Sequence, residues 1–385
     1  MVAGGRALAR DADGRVVLVD GALPGERVTV RTTARRGAAL GEVTGVLEAS
    51  PDRVEAPCPH VADGCGGCDW QHVAEGRQTG LRVEIVDDAL RRLGGVGAPV
   101  VRTGPPVPAV RSRSSLRLAV ADGRLGLRRR EGHDVVALDD CLVAVPRLAE
   151  LLAPGVVDPG TAEEITLRVA DGTGERLLLA APTAEGVTAP SDVAVIGADE
   201  LKAGRRRWFT AEVVGHRLRV SAPSFFQTRG AGAEALVAVV GDQVADAPPG
   251  TFVDLYGGVG LFAVALAGDR RVVVVERSAA AAADARQNLA DRPEARVVNR
   301  PVERWRPTPA AVVVADPARA GLGATGVAKV AATGASRAVL VSCDAASLGR
   351  DTRDLVAAGY RHVESVSIDM FGHTGHVEVA SRFDR

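Results

Sequence analysis

The segment Asp254-Leu-Tyr-Gly-Gly-Val-Gly-Leu-Phe262 decides the fold of the C-terminal half of this chain. It begins within an apolar run at residues 251–255, which predicts a buried parallel strand. Its three glycines permit a tight turn and a close approach of a ligand to the backbone. Glu276 ends the next apolar run, at the distance expected of a carboxylate that binds ribose hydroxyls. The segment therefore predicts a nucleotide-binding turn, and a dinucleotide would satisfy the same pattern.

Strand and helix patterns alternate on both sides of this segment. Buried parallel strands are predicted at residues 251–255, 271–275, 311–315 and 338–342. Helices are predicted at residues 231–244, 279–289 and 347–358. This alternation predicts an α/β fold, in which a doubly wound, Rossmann-like domain occupies residues 220–385.

Two short motifs follow the third and fourth of these strands. They are Asp316-Pro-Ala-Arg319 and Ser342-Cys343-Asp344. Ligands bind at the carboxyl edge of such a sheet, so both motifs should face the same crevice. A dehydrogenase has no use for a thiol at that place, whereas a methyltransferase that adds covalently to its substrate does. The thiol favours the methyltransferase, and an NAD-dependent enzyme remains the more distant alternative.

The N-terminal and central parts of the chain have the short alternating patterns of β-structure. Strands are predicted at residues 15–20, 27–33 and 40–47, which indicates a small, OB-like closed β-barrel over residues 1–54. A helix is predicted at residues 75–93. Mostly strands follow from residue 100 to 220, for example at 115–121 and 125–128, so residues 55–219 are predicted to form a central, mostly-β domain.

Four of the five cysteines are arranged as a candidate metal site. Three lie in one glycine-rich loop and the fourth lies far downstream, as Cys58, Cys65, Cys68 and Cys141. Structural zinc sites usually pair two Cys-x-x-Cys motifs, whereas this three-plus-one arrangement is more typical of a cubane iron–sulfur cluster. Zinc and four ordinary buried cysteines remain open. His60 and His72 lie near enough to be considered as ligands, although a solvated loop position is expected for each.

Composition and charge set broad limits on function. The 385-residue chain has a net charge near zero, which neither demands nor forbids a nucleic-acid partner. No stretch is apolar and long enough to cross a bilayer, and residues 1–6 lack signal-peptide features, so we expect a cytoplasmic protein without disulfides. A basic cluster between the cysteines predicts either a solvated face or a phosphate-contacting surface; it comprises Arg111, Arg113, Arg117, Arg124, Arg128, Arg129 and Arg130.

Taken in order, the motifs of the chain resemble those of the RNA (uracil-5-)-methyltransferase family. Besides the cysteine set, the matching pieces are Ser224-Phe-Phe-Gln227, Asp254-Leu-Tyr256, Glu276 with Asn288, Asp316-Pro-Ala-Arg319, Ser342-Cys343 and Asp369-Met-Phe-Gly-His-Thr-Gly-His-Val-Glu378. The resemblance implies a class I methyltransferase domain that uses S-adenosylmethionine, a [4Fe-4S] cluster and an RNA-binding TRAM barrel at the N-terminus. TRAM plus cluster is typical of the ribosomal-RNA branch, whose substrate here would be 23S rRNA.

The resemblance also implies a role for each matching residue. Cys343 would be the nucleophile and Glu378 the base. The cofactor would be contacted by Gln227, Tyr256, Gly258, Gly260, Leu261, Glu276 and Asp316, and the cluster by Cys58, Cys65, Cys68 and Cys141. Asp316 would lie between cofactor and base, or would cap a helix. Cys343 also precedes a predicted helix, whose N-terminal dipole should favour the thiolate.

Several departures and alternatives accompany the resemblance. Gly257 stands where the family commonly has Cys, Ala318 and Gly372 where it has Pro, and Leu261 where Asn is frequent. Candidates for stacking on a flipped uracil are Phe225, Phe226, Tyr256 and Phe371, each of which could equally be core. His373 and His376 are expected to be structural. A tRNA T-loop uridine and a non-catalytic RNA-binding role remain alternatives, and we expect a monomer.

Overall fold

The computed structural model describes residues 1–34, 38–130 and 132–385. The strands are β1 (Ala7–Arg10), β2 (Val16–Asp20), β3 (Arg27–Ala34), β4 (Ala39–Glu48), β5 (Val101–Thr103), β6 (Ser115–Ala121), β7 (Arg124–Arg128), β8 (Val135–Ala137), β9 (Glu164–Val169), β10 (Arg176–Ala181), β11 (Val193–Gly197), β12 (Trp208–Val213), β13 (His216–Ser221), β14 (Phe252–Leu255), β15 (Val272–Glu276), β16 (Arg296–Asn299), β17 (Val312–Ala315), β18 (Arg337–Ser342), β19 (Arg361–Ser367) and β20 (Val379–Asp384). The helices are α1 (Glu75–Arg92), α2 (Pro146–Ala149), α3 (Ala198–Lys202), α4 (Gly230–Val244), α5 (Leu261–Leu266), α6 (Ala279–Asn288), α7 (Gly323–Ala332) and α8 (Ala345–Ala357).

The C-terminal sheet confirms the predicted doubly wound α/β domain. Its strand order is β16-β15-β14-β17-β18-β20-β19-β5. Strands β14 to β18 run parallel, and β20 runs antiparallel to both of its neighbours. Successive strands move outward in opposite directions from β14 and β17, so the ligand crevice is expected where these two strands end.

Helices cover both faces of this sheet, which explains why its central strands are apolar throughout. One face packs against α1, α7 and α8, and the other against α4, α5 and α6. All four residues of β14 and of β17 are buried. Burial on both faces removes the polar positions that a half-exposed strand would show.

The central segment is mostly β-structure, as predicted. A six-stranded sheet of order β11-β10-β9-β6-β7-β8 surrounds its own hydrophobic core, and β12 and β13 form a separate hairpin. Two elements of the segment pack against the C-terminal sheet and its helices instead. Helix α1 packs against α8, and β5 pairs with β19. The division into residues 1–54, 55–219 and 220–385 stays a prediction, and its second boundary falls inside β13.

The N-terminal segment forms a four-stranded sheet of order β1-β2-β4-β3 around a small apolar core. Strand β1 was not among the predicted strands. Within residues 1–34 and 38–48 there is no ladder between β1 and β3, so closure into a barrel of the TRAM type stays a prediction. Across the described parts of the chain, no helix is both long and apolar enough to cross a bilayer.

Candidate active site

The sheet places the two candidate catalytic residues side by side. Strands β18 and β20 form an antiparallel ladder whose last pair is Ser342 with Val379. The next residue on β18 is Cys343, and the residue before β20 is Glu378. Facing residues of such a ladder have Cα atoms about 4.5–5.5 Å apart. The thiol and the carboxyl group are also close enough for the charge of Glu378 to affect Cys343.

Asp316 lies at the same edge, directly after β17. Its backbone N–H donates to the carbonyl oxygen of Leu255 at 3.2 Å, which ties it to the end of β14. The charges of both Asp316 and Glu378 act on Cys343, and Arg319 supplies an opposing positive charge. Since α7 begins only at Gly323, Asp316 does not cap that helix. The crevice therefore brings together the residues that the sequence placed after separate strands.

The protonation of Cys343 differs from the sequence expectation. Burial raises the pKa of this thiol to about 11, and the charges of Glu378 and Asp316 add to the effect, while Arg319 opposes it. Helix α8 begins at Ala345, and the carboxylate of Asp344 already accepts its backbone N–H of Ser347 at 2.8 Å. Any preference of the helix N-terminus for the thiolate is therefore outweighed by burial and by the two carboxyl groups, so the expected lowering of this pKa is not found.

Carboxyl groups with raised pKa values lie at this edge of the sheet. Burial and the charge of Asp316 raise the pKa of Glu378 well above its usual range, and only 4% of this residue is exposed. Burial raises the pKa of Asp316 to about 7. Burial also raises the pKa of Asp254 to about 8, with the charges of Asp316 and Glu276 adding to it. A carboxyl group with a raised pKa is a stronger base once it has lost its proton, which suits the removal of a weakly acidic C–H proton.

The turn after β14 has the features that a nucleoside cofactor needs. The carboxylate of Glu276 accepts the backbone N–H groups of Gly258 at 3.0 Å and Ser278 at 2.5 Å. A carboxylate has about four lone-pair sites, so it can still accept from ribose hydroxyls. A side chain built at Gly258 would meet no atom within 4 Å, so the turn faces open space. These residues have the chemistry to hold S-adenosylmethionine, and their assignment to it stays a prediction.

The other predicted cofactor residues lie around this turn in different environments. Tyr256 has a left-handed backbone (φ 58°), and burial raises its pKa to about 12, with Glu303 and Asp351 adding to the effect. Gly260 has φ 88° and caps the N-terminus of α5, whose first residue, Leu261, is buried in the core. Gln227 is half-buried.

Two carboxylates that sequence reasoning missed hold segments of the crevice. Asp284 accepts the N–H and hydroxyl groups of Ser221 at 2.8 and 2.7 Å and the hydroxyl of Ser224 at 2.8 Å. It thereby fixes the start of the Ser224–Gln227 motif. Asp351 accepts the backbone N–H groups of Leu322 and Gly323 at 2.7 and 3.0 Å. A lone carboxylate in the alanine-rich α6 was an available signal for Asp284, whereas no comparable signal marks Asp351.

The departures from the family pattern at two glycines have a steric explanation. A Cβ at Gly257 would lie 2.7 Å from Cγ1 of Val274, and one at Gly372 would lie 2.7 Å from Cα of Ala109. The backbone approaches its neighbours so closely at both places that no side chain fits without movement. Ala318, the third departure, is exposed.

The four clustered cysteines line one cavity together with apolar side chains such as Leu127 and Leu138. None of the four forms a disulfide. Burial raises the pKa of Cys68 to about 11, and the negative charges of the other three thiolates add to it, which indicates that the thiols are close together. Within residues 1–34, 38–130 and 132–385, no group of three or more His, Cys, Asp or Glu side chains is arranged to bind a single metal ion. The donor set suits an iron–sulfur cluster in its chemistry, but a preformed ion site is not present in that part of the chain.

The two histidines considered as metal ligands have different positions. His60 lines the cysteine cavity, and its Nδ1 lies 3.5 Å from a carboxylate oxygen of Asp63. His72 is not among the residues that line the cavity, and burial lowers its pKa to about 4. Neither histidine belongs to a metal-binding group in the described residues.

The predicted RNA-contacting residues divide by exposure. Phe225 is 68% exposed, whereas Phe226 and Phe371 pack against the core on the α4 side of the sheet. In the basic cluster, three arginines form ion pairs with carboxylates, namely Arg111 with Asp140, Arg117 with Glu164 and Arg124 with Asp139. Within the described residues no ion pair involves Arg113 or residues 128–130, and Arg130 donates instead to the carbonyl of Cys68 at 3.0 Å.

Comparison with known proteins gives several full-length similarities. An uncharacterized RNA methyltransferase of Streptomyces avermitilis is 35% identical, over 97% of this chain and 94% of the relative. The 23S rRNA (uracil(1939)-C(5))-methyltransferase RlmD of Methylococcus capsulatus is 34% identical, over 97% of this chain and 93% of the relative. The RlmD of Pseudomonas entomophila is 32% identical, over 97% of this chain and 89% of the relative. No protein-family model matches. Among solved structures, the Pyrococcus abyssi tRNA (uracil-54, C5)-methyltransferase, in complex with S-adenosyl-L-homocysteine, shares the fold with a TM-score of 0.71 at 23% identity, over 99% of this chain and 100% of that one.

Proposed function

Because this chain belongs to the family of RNA uracil-C5 methyltransferases, we propose that it methylates C5 of a uridine in 23S ribosomal RNA. The observation that carries the proposal is the position of Cys343 next to Glu378, at the edge of the sheet where the cofactor turn also ends. This placement supplies a nucleophile, a base and a nucleoside-binding turn within one crevice. An RNA-binding protein without catalysis would have no need of that combination.

Cys343 begins the proposed reaction on the uracil ring. As a thiolate, whose proton has passed to solvent, its sulfur bonds to C6, and the electrons of the C5–C6 double bond move toward C5 and the O4 carbonyl. S-adenosylmethionine, when bound, supplies the electrophilic methyl group that the activated C5 takes up. Glu378 then removes the proton from C5, the C6–sulfur bond breaks, and the thiolate leaves. The nucleophile is the Cys343 thiolate and the base is the Glu378 carboxylate, and both belong to this chain.

Cofactor binding is assigned to the turn after β14 and its neighbours. Glu276 would bind the ribose hydroxyls, while Gly258 and Gly260 allow the backbone to approach the cofactor. Gln227, Tyr256, Leu261 and Asp316 complete the proposed set. Asp316 would lie between cofactor and uracil, because it follows β17, between the turn after β14 and the nucleophile after β18.

The central and N-terminal parts are proposed to bind a cluster and RNA. Cys58, Cys65, Cys68 and Cys141 would hold a [4Fe-4S] cluster, which would cross-link the loop to the central sheet. Support comes from their shared cavity and their free thiols. The N-terminal sheet would act as a TRAM-type RNA-binding barrel. Because ribosomal RNA is the proposed substrate, we propose that the protein acts in the cytoplasm. We also propose that it acts as a monomer.

Methyl transfer to two RNAs in parallel tests this function. Anaerobically purified protein is incubated with S-adenosylmethionine carrying a labelled methyl group and either unmodified 23S rRNA or unmodified tRNA, and the nucleosides are analysed. We expect labelled 5-methyluridine in the rRNA alone. Label in tRNA alone would keep the chemistry and overturn the substrate. Absence of label in both, with RNA still bound, would instead support a non-catalytic RNA-binding protein.

A further inference from the structure

Residues 369–377, here called the base loop, lead directly to Glu378 and have no regular secondary structure. Their conformation must therefore be fixed by contacts from other elements. His373 has a left-handed backbone with φ 60°, although it is not glycine. Such a conformation carries strain and persists only where the surroundings determine it.

One buried side chain on α1, Arg82, makes four of these contacts. The guanidinium of Arg82 donates from Nη2 to the carbonyl oxygens of Phe371 and Thr374 at 3.0 and 2.9 Å. Its Nε donates to the carbonyl oxygen of His376 at 3.2 Å, and its Nη1 donates to the carboxylate of Asp369 at 2.9 Å. Arg82 is 1% exposed, so its guanidinium is shielded from water.

Neighbouring side chains on α1 hold the same loop. Oε1 of Gln78 accepts the backbone N–H of His373 at 3.0 Å and also accepts from Arg82 at 3.3 Å. The hydroxyl of Thr79 donates to the second carboxylate oxygen of Asp369. Helix α1 lies far before the methyltransferase motifs in the chain, so the sequence motifs alone do not reveal this role.

The cysteine loop holds the base loop from the other side. The carbonyl oxygen of His373 accepts the backbone N–H groups of Asp69 and Trp70 at 3.0 and 2.8 Å. The carboxylate of Asp69 accepts the backbone N–H of Gly375 at 3.0 Å. Because Asp69 directly follows Cys68, the loop that carries three of the clustered cysteines also fixes the segment before Glu378.

We propose that Arg82 is a positioning residue that sets the location of the Glu378 carboxyl group through the base loop. This inference rests on the proposed function, since it assumes that Glu378 removes the C5 proton. The planar guanidinium is suited to the task because it has five N–H donors in a fixed arrangement, whereas a lysine has three on a flexible chain. A lysine at position 82 would leave some of the buried carbonyl groups without a donor.

The base step can be isolated, because the methylated adduct between Cys343 and C6 cannot break down until the C5 proton is removed. Poor placement of Glu378 should therefore slow that step and let a covalent protein–RNA complex accumulate. A displacement near 1 Å can lower a rate by on the order of 100-fold. A general loss of folding would instead lower adduct formation and turnover together.

The test compares R82K with R92K on the same helix, in single turnovers with a 23S rRNA fragment. Arg92 is exposed, and among the described residues its ion pair is with Asp88, so it is a matched control. We expect R82K to lower the single-turnover rate of 5-methyluridine formation by about 10- to 100-fold, to accumulate the covalent complex on denaturing gels, and to leave the Kd for S-adenosylmethionine unchanged. Deuterium at C5 of the target uridine should slow R82K more than it slows the wild type.

A second variant and the wild type separate the possible failures. T79V removes only the hydroxyl bond to Asp369 and should show the same changes to a smaller extent. It therefore tests the inference even if R82K does not fold. An active R82K or T79V protein without extra complex and without the enlarged isotope effect would overturn the inference. A wild-type protein that forms no 5-methyluridine would overturn the proposed function instead.

Discussion

The pKa of Cys343 gives a prediction whose magnitude follows from the structure. Burial, with the charges of Glu378 and Asp316, raises this pKa from 9.0 to about 11. Each pKa unit is a tenfold change in the thiolate fraction, so at neutral pH Cys343 should hold about 100-fold less thiolate than an ordinary cysteine. Alkylation requires the thiolate, so its rate should rise about tenfold for each pH unit through at least pH 10.

Site-resolved alkylation by iodoacetamide measures this property. The protein is treated at pH 7 to 10.5, and the modified peptide that contains Cys343 is quantified by mass spectrometry, which separates it from the other cysteines. E378Q removes a negative charge that raises the pKa, so it should speed alkylation at alkaline pH. R319Q removes the opposing positive charge and should slow it. A Cys343 rate that levels off near pH 8, or an unchanged rate in E378Q, would refute the electrostatic account.

Three further predictions concern other parts of the site. C343A should abolish methylation and leave S-adenosylmethionine binding intact, as measured by calorimetry; loss of binding would contradict the separation of the two roles. C65S should lower iron content and RNA affinity together in anaerobically purified protein, and unchanged iron per chain would remove Cys65 from the ligand set. Burial raises the pKa of Asp254 from 3.8 to about 8, so the folded state binds this proton more tightly than the unfolded state does. The tighter binding adds to the free energy of unfolding at low pH, and the added stability is lost as pH rises from about 4 to about 8. D254N should make that free energy fall less steeply over this range in denaturant titrations, and an identical slope would contradict the shift.

The sequence predicted the elements whose signals are local. The glycine turn after β14, the apolar parallel strands and the helix at residues 75–93 agree with the structure, because burial on two faces and helix-end residues mark them directly. The order of the outer strands lacks such a signal. Nothing local indicates that β20 inserts between β18 and β19, although this insertion places Glu378 beside Cys343.

Contacts between residues far apart in the chain could not be predicted from the sequence. Arg82 has the appearance of an ordinary arginine on an amphipathic helix, yet it is buried and bonds to the base loop far along the chain. The protonation of Cys343 was misjudged for a related reason. The helix N-terminus is visible in the sequence, whereas burial and the carboxyl groups of Glu378 and Asp316 depend on how separate strands come together.

Identification of the covalent intermediate tests the account most directly. E378Q protein is incubated with S-adenosylmethionine and a 23S rRNA fragment, digested with protease and nuclease, and the cross-linked peptide is sequenced by mass spectrometry. The account predicts a methylated uridine attached to Cys343, because the nucleophile has added and the C5 proton cannot leave. A labelled nucleotide without any attachment to the protein, or an attachment at another residue, would contradict it.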